Sequence, residues 1–204
     1  MNQRMATLFS GQWVGVKFYE KSPNLPNVDR PTNVRFCEAT RTAVLRPILL
    51  DEECVTCPGA RYAFGWESDI PDNIITDCLG KHGIDKSVFK KMISKLPRLE
   101  NPVQSIGLNT DKNPDLILSY LLPRDVMKII KKFMIEYEKC LDVSLCSMMS
   151  ICGNVAVKAY LEGKVTFSFG CDDSRTYAHI GKDRIAVGIP IGLFNMFSDI
   201  TNIE

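Results

Sequence analysis

The eight cysteines of this 204-residue chain are the residues best suited to metal binding or catalysis. Four of them stand immediately before segments with helix-like sequence: Cys37, Cys57, Cys152 and Cys171. A thiol at a helix start faces unpaired backbone N–H groups and the positive end of the helix dipole, and both favour the thiolate. The thiolate is the form that binds metals or attacks electrophiles. We therefore predict that these four cysteines form the functional site.

Three of these cysteines are followed by an arginine four residues later. The pairs are Cys37 with Arg41, Cys57 with Arg61, and Cys171 with Arg175. Residues i and i+4 share one face of a helix and side chains lean towards the N-terminus, so each guanidinium can reach back towards its sulfur. The alternative interpretation is an ordinary solvated arginine on a helix surface. Under the first interpretation, the three arginines tune or bind an anionic group held by the thiols.

The remaining four cysteines have other expected roles. Cys78 and Cys140 fall on the apolar stripes of predicted helices, and Cys146 falls in a predicted strand, so we expect all three to be small buried hydrophobes. Cys54 forms a C-x-x-C motif with Cys57. Such a pair is consistent with a redox couple or with half of a metal site.

The elements that must position these thiols are helices interspersed with short strands. Hydrophobic periodicity predicts strands over 12–20, 103–109, 116–122, 145–150, 165–169 and 185–189, and helices from about Cys37 and over 58–66, 72–82, 87–96, 124–141 and 153–162. This mixture predicts an α/β or α+β domain, with a mixed sheet flanked by helices.

The spacing of the cysteines also predicts an internal duplication. Cys57 follows Cys37 by 20 residues, and Cys171 follows Cys152 by 19. Both intervals run from a helix through an apolar segment to a turn with an arginine four residues on. We expect a single domain over 1–204 that consists of two interleaved halves, about 12–100 and 101–204. A pseudo-two-fold axis between the halves would bring the four thiols to one centre.

Four converging thiolates suit either an iron–sulfur cluster or structural zinc. Zinc ribbons use two close C-x2–4-C pairs, and only Cys54 and Cys57 have that spacing here. Ligands that are widely spaced, with one at each helix start, favour a [4Fe–4S] cluster, whose negative charge the arginines would stabilise. The sequence therefore predicts an iron–sulfur protein for redox chemistry or small-molecule activation, with zinc as the alternative.

Two other functions stay open at this point, and the sequence does not decide whether the chain is an enzyme. One is a non-enzymatic structural or binding module that is stabilised by zinc or disulfides. The other is a thiol-based redox enzyme in which Cys57 reacts and Cys54 resolves the product.

Composition and charge exclude several partners. Lys and Arg number 25 against 24 Asp and Glu, which gives a net charge of +1 and no field that attracts nucleic acid. No apolar run is long enough to cross a membrane, and the N-terminal residues do not form a signal peptide. We expect a cytoplasmic protein whose partners are a small molecule or a redox partner protein, and which can form a homo-oligomer.

Six short motifs, in order, resemble a bacterial and archaeal family catalogued as domain of unknown function 169. They are residues 14–18 (VGVKF), 35–39 (RFCEA), 57–60 (CPGA), Cys152 before a helix, 170–178 (GCDDSRTYA) and 186–190 (AVGIP). The resemblance covers nearly the whole chain. It implies that the predicted four cysteines belong to the family pattern and that the other four are additions in this chain. It implies no established activity.

Overall fold

The computed structural model describes residues 13–83 and 85–197, and a six-stranded sheet forms the centre of this part of the chain. The strands are β1 (Trp13–Tyr19), β2 (Ile48–Leu50), β3 (Ser105–Leu108), β4 (Leu116–Leu121), β5 (Thr166–Ser168) and β6 (Ile185–Pro190). They lie in the order β2-β3-β1-β4-β6-β5, and each pair of neighbours is antiparallel.

The predicted class, α/β or α+β with helices flanking a sheet, is confirmed. We expected a mixed sheet, with both parallel and antiparallel strands. Within the described residues, parallel pairing is limited to two isolated bridges, Asp29 with Ile48 and Val34 with Val55. A short apolar run predicts a strand but carries no information about its direction, which depends on the connections between strands.

Eight α-helices surround the sheet in the described residues. They are α1 (Phe36–Thr42), α2 (Pro58–Ala63), α3 (Asp72–His82), α4 (Lys86–Ile93), α5 (Pro123–Tyr137), α6 (Lys158–Glu162), α7 (Asp172–Thr176) and α8 (Ile191–Phe194). A π-helix over Ser150–Val157 runs directly into α6, and a 3-10 turn over Asn195–Phe197 follows α8.

One predicted element does not form, and another is shorter than predicted. The strand over 145–150 does not form, because this apolar run divides between an irregular loop and the start of the π-helix. The helix over 124–141 ends early at Tyr137, since Glu138 has a left-handed backbone conformation with φ 52°. The early end places Cys140 in the loop, where its side chain is exposed instead of buried.

Each face of the sheet packs against a different set of helices. On one face, Val14 and Val16 of β1 join the largest apolar cluster with residues of α1, α2 and the π-helix. On the other face, Ile117 of β4 packs in a second cluster with Val126 and Ile129 of α5. The elements that carry Cys37, Cys57 and Cys152 therefore share one core.

The strand order is unchanged when the first three strands and the last three strands are exchanged, which divides the chain between β3 and β4 and not at the predicted boundary of 100/101. Replacing β1 by β4, β2 by β5 and β3 by β6 gives the same order in reverse. In chain order, α1 and α2 flank β2, just as the π-helix (with α6) and α7 flank β5. This topology is consistent with the duplication, which stays a prediction. Within the described ranges, no helix combines the length and the apolar character that crossing a bilayer requires.

Candidate functional site

One cavity of about 400 Å³ is lined by all four predicted cysteines. They approach it from four elements: Cys37 from α1, Cys57 from the start of α2, Cys152 from the π-helix and Cys171 from the start of α7. Cys37 and Cys152 are buried, whereas Cys57 and Cys171 are partly exposed. The cavity lies between the helices, on the side of the sheet that holds the largest core cluster.

The first half of the chain supplies Cys37 and Cys57 from two short helices. Cys37 is the second residue of α1, and Cys57 is the N-cap of α2, with Pro58 at the first helical position. The backbone N–H group of Glu38 lowers the pKa of Cys37, and that of Ala60 lowers the pKa of Cys57. These N–H groups can act on the sulfurs because the first N–H groups of a helix lack intrahelical partners.

The second half supplies Cys152 and Cys171 by different geometry. Cys152 is the third residue of the π-helix, in which every residue is buried. π-helical turns are rare and occur frequently at functional sites. Cys171 is the N-cap of α7, and its backbone N–H donates to Ser174 Oγ at 2.9 Å. Gly170 precedes it with φ +93°, a conformation that suits glycine.

Close packing between the halves depends on small residues beside the cysteines. A Cβ atom on Gly59 would lie 2.9 Å from Cγ of Met149, the residue that precedes the π-helix. Gly153, one residue after Cys152, also faces the Met149 side chain. These glycines allow α2 and the π-helix to approach each other, which brings Cys57 and Cys152 to the same cavity.

Burial raises the pKa of three of the four thiols. The pKa of Cys37 rises to about 12, and those of Cys57 and Cys152 also rise, chiefly because burial penalises the thiolate. Neighbouring thiols raise these pKa values further, since two thiolates at one site repel each other. The backbone N–H groups of Glu38, Ala60 and Gly153 lower the pKa values of these thiols, but their effect is weaker than that of burial. The thiolate expected from helix position alone is therefore disfavoured at neutral pH unless a metal binds.

The three arginines predicted to act on the site point to other partners. Arg61 Nη2 lies 2.9 Å from both Glu52 Oε1 and Glu67 Oε1. Arg175 donates to the backbone carbonyls of Phe169, Ile180, Gly181 and Arg184. Arg41 has an exposed side chain. Among the described residues that line the cavity, none of these arginines is present, and their role towards a ligand stays a prediction.

Arg35 is the arginine whose contacts reach the cysteines. Its Nε lies 3.9 Å from Asp173 Oδ2, and its guanidinium stacks 3.7 Å from the ring centre of Tyr177. The Cys57 thiol donates to the same Asp173 oxygen at 3.9 Å. Sequence analysis missed Arg35 because it considered only arginines that follow a cysteine, whereas Arg35 is the N-cap residue before Cys37.

A buried pair of hydroxyls holds the backbone at Cys37. Thr40 donates to the Cys37 carbonyl at 2.7 Å, and Tyr120 of β4 lies 2.7 Å from the Thr40 hydroxyl. Because Thr40 has a single hydroxyl proton, Tyr120 must be the donor to Thr40. Burial raises the pKa of Tyr120 well above its usual value, so this hydroxyl keeps its proton. The hydrogen bond between Tyr120 and Thr40 thus connects β4 to α1 next to Cys37.

Comparison with known proteins places these residues in a family. The family model of DUF169, described as "Uncharacterised ArCR", matches residues 7–199. The chain belongs to this family. An uncharacterised protein of Methanocaldococcus jannaschii is 23% identical over 165 residues, which cover 76% of this DUF169 chain and 71% of the relative. No solved structure matches the chain.

Three other cysteines of this DUF169 protein, Cys54, Cys140 and Cys146, are not among the residues that line the cavity. Cys54 is buried, and burial raises its pKa to about 11; Cys146 is half-buried in the loop before the π-helix. The side chain of Cys78 lies outside the described residues. All seven cysteines that the structure describes are free thiols. Across the described ranges, no three His, Cys, Asp or Glu side chains form a group that could hold a single metal ion.

Proposed function

We propose that this DUF169 protein binds a [4Fe–4S] cluster through Cys37, Cys57, Cys152 and Cys171, and uses it for redox chemistry or small-molecule activation. The observation that carries the proposal is that four thiols from four separate elements line one cavity. Thiols in a buried, shared cavity are the ligand set that iron–sulfur clusters require.

The spacing of these cysteines along the sequence favours a cluster over a single zinc ion, because the chain lacks the two close C-x2–4-C pairs that zinc ribbons use. In a tetrahedral zinc site with Zn–S bonds of about 2.3 Å, the sulfurs lie about 3.8 Å apart. The described side chains form no group of that kind. A cluster of several atoms reaches ligands that are farther apart, so it fits thiols distributed around a cavity better than one ion does.

The chain itself would tune the bound group. Backbone N–H groups of Glu38, Ala60 and Gly153 favour the thiolate of the cysteine beside them, and N–H groups directed at cluster sulfurs raise the reduction potential of a cluster. Burial excludes water from Cys37 and Cys152. When bound, a [4Fe–4S] cluster supplies reversible one-electron transfer. The thiols would release their protons on binding, because only thiolate ligates the metal.

We also propose a cytoplasmic location and a small molecule or redox protein as partner, with a homo-oligomer as an additional arrangement. Support for the location comes from the seven free thiols, which are typical of a reducing compartment.

Anaerobic purification followed by iron, acid-labile sulfide and zinc analysis tests the proposal. We expect a coloured protein with about four iron and about four sulfide per chain, directly or after reconstitution with iron and sulfide. A folded protein that stays colourless and free of iron after reconstitution would overturn the proposal. Stoichiometric zinc without colour would instead support the structural module.

Single alanine variants identify the ligands. Cys37→Ala, Cys57→Ala, Cys152→Ala and Cys171→Ala are each expected to lose most of the bound iron, with circular dichroism confirming that the variant is folded. Cys54→Ala and Cys140→Ala are matched controls, because these thiols lie outside the residues that line the cavity, and they should keep the wild-type iron content. Iron loss in Cys54→Ala comparable to that in Cys57→Ala would contradict the assigned ligand set.

A further inference from the structure

The cysteine cavity has a second wall that carries no thiol. The chain between 70 and 93 lines it with Ile70, Ile74, Phe89, Met92 and Ile93, which belong to the α3–α4 pair and the segment before it. A group bound to the four sulfurs would therefore leave an apolar surface facing it across the cavity. The cavity has a volume of about 400 Å³, which is within the range of small-molecule sites.

Methionines also line the cavity. Met148 and Met149 line the cavity from the loop before the π-helix, and Met92 lines it from α4. Methionine side chains are flexible and polarisable, so they adapt to apolar ligands of different shape. Met149 also has a left-handed backbone conformation with φ 47°. Such strain in a residue without glycine's freedom is typical of binding sites.

The charges around the cavity select against anions. Among the described lining residues, the charged side chains are those of Asp172 and Asp173, and no lysine or arginine is present. Arg35 is nearby but is already paired with Asp173. A phosphate or carboxylate in the cavity would lose its hydration without gaining a cationic partner, which is costly. The buried hydroxyl of Ser150, a lining residue, has no hydrogen-bond partner in the described part of the chain.

We infer that the cavity binds an uncharged, mainly apolar small molecule, which packs against the 70–93 wall beside the cysteines. The inference rests on the proposed function in one respect: this molecule would be the one on which the bound cluster acts. The apolar wall supplies the binding energy through removal of apolar surface from water.

A matched pair of fluorescent probes tests the charge preference. Naphthalene-2-carboxamide and naphthalene-2-carboxylate have nearly the same shape and differ in charge. In fluorescence titrations of the full chain, before and after reconstitution with iron and sulfide, we expect the amide to bind at least about tenfold more tightly than the carboxylate. Equal affinity, or tighter binding of the carboxylate, would overturn the inference.

Two tryptophan variants of α4 locate the binding site. Met92 lines the cavity and is 38% exposed, whereas Val88 on the same helix is 47% exposed and is not a lining residue. Met92→Trp should fill the apolar side and weaken amide binding about tenfold, while Val88→Trp should leave it within about twofold. An equal loss in both variants would place the probe elsewhere and refute the inference.

The outcome separates this inference from the proposed function. If the protein binds the amide but takes up no iron, the inferred apolar site is supported and the proposed cluster is refuted. If the protein takes up iron and sulfide but does not prefer the amide, the proposed cluster is supported and the inferred apolar ligand is refuted.

Discussion

Arg35 connects the start of α1 to α7. It is the N-cap residue of α1, pairs with Asp173 of α7 and stacks on Tyr177 just beyond that helix. Since Asp173 is partly exposed, the ion pair itself contributes only about 0.2–1 kcal/mol to stability. Its electrostatic effect on the site is more important, because the guanidinium offsets a carboxylate that lies beside the Cys57 thiol.

Replacing Arg35 should therefore change the reduction potential of the proposed cluster. Reduction adds a negative charge, so removing a nearby positive charge in Arg35→Gln should lower the potential. Arg35→Lys retains the charge and should restore most of the shift. Potentiometric titration followed by electron paramagnetic resonance measures both variants.

Arg61→Gln is the matched comparison for this prediction. Arg61 was predicted from the sequence to act on the site, but its guanidinium pairs with Glu52 and Glu67. We expect its removal to leave the potential close to that of the wild type. A larger shift in Arg61→Gln than in Arg35→Gln would favour the arginine that the spacing predicts and contradict the role of Arg35.

The different outcomes for cysteines and arginines have a physical origin. A cysteine at a helix start is placed by the backbone, so the position of Cys57 or Cys171 follows once the helix start is predicted correctly. An arginine has a long flexible side chain, and its partner depends on which carboxylates or carbonyls the fold brings within reach. The i+4 spacing predicts the helix face of Arg175 but not the backbone carbonyls at 180 and 181 to which it donates.

At the scale of elements, strands β1, β3, β4, β5 and β6 were predicted from the sequence, whereas β2, α8 and the π-helix were not. Strands β1, β4 and β6 follow from clear apolar alternation or short apolar runs. The apolar run at 145–151 does not distinguish a strand from a helix, because a short buried run suits either element equally. π-helices have no sequence pattern of their own, so the element that carries Cys152 was expected as an ordinary helix.

Gly170 sets the start of α7 and thereby the position of Cys171. At its φ of +93° a side chain is strained, and a Cβ atom would lie 2.8 Å from Ser174 Oγ and 3.1 Å from Arg175 Nε. Gly170→Ala should destabilise the fold by about 1–3 kcal/mol and lower the iron content. Chemical denaturation and iron analysis provide the measurements.

Gly163→Ala is the control for the effect of backbone conformation alone. Gly163 ends α6 with φ +61°, and no atom lies within 4 Å of the position of an added Cβ. Its replacement should cost about 1 kcal/mol and leave the iron content unchanged. If both variants retain full iron content, the turn at Gly170 does not position a ligand.

At the scale of the whole molecule, the central pair of strands explains how distant cysteines meet. β1 and β4 pair in the middle of the sheet, and each is the first strand of one set of three, β1–β3 and β4–β6. The helices α1 and α2, which follow β1, and the π-helix, which follows α5, cover the same face, so the two sets approach each other there. The sequence predicted two halves from cysteine spacing alone, but it gave no strand order, because pairing between distant segments depends on contacts that no local pattern encodes.

Stability of the metal-free protein should fall as the pH rises above about 8, because burial raises the pKa of Cys37 to about 12 and also raises those of Cys57 and Cys152. The unfolded chain releases these protons near the ordinary thiol pKa of about 8.5, while the folded chain retains them. The free energy of unfolding therefore has its full value below about pH 8.5 and falls as the pH rises towards the pKa values of the thiols in the folded chain. Each such thiol contributes a slope of up to about 1.4 kcal/mol per pH unit.

Urea denaturation of chelator-treated protein at several pH values between about 7 and 10 measures this slope. Cys37→Ala removes one buried thiol, so its free energy of unfolding should fall less steeply than that of the wild type, even if the variant is less stable at pH 7. Cys140→Ala removes an exposed thiol and should keep the wild-type slope. Identical slopes in Cys37→Ala and the wild type would mean that the Cys37 thiol titrates alike in the folded and unfolded chains, and the folded cavity would then be open to water.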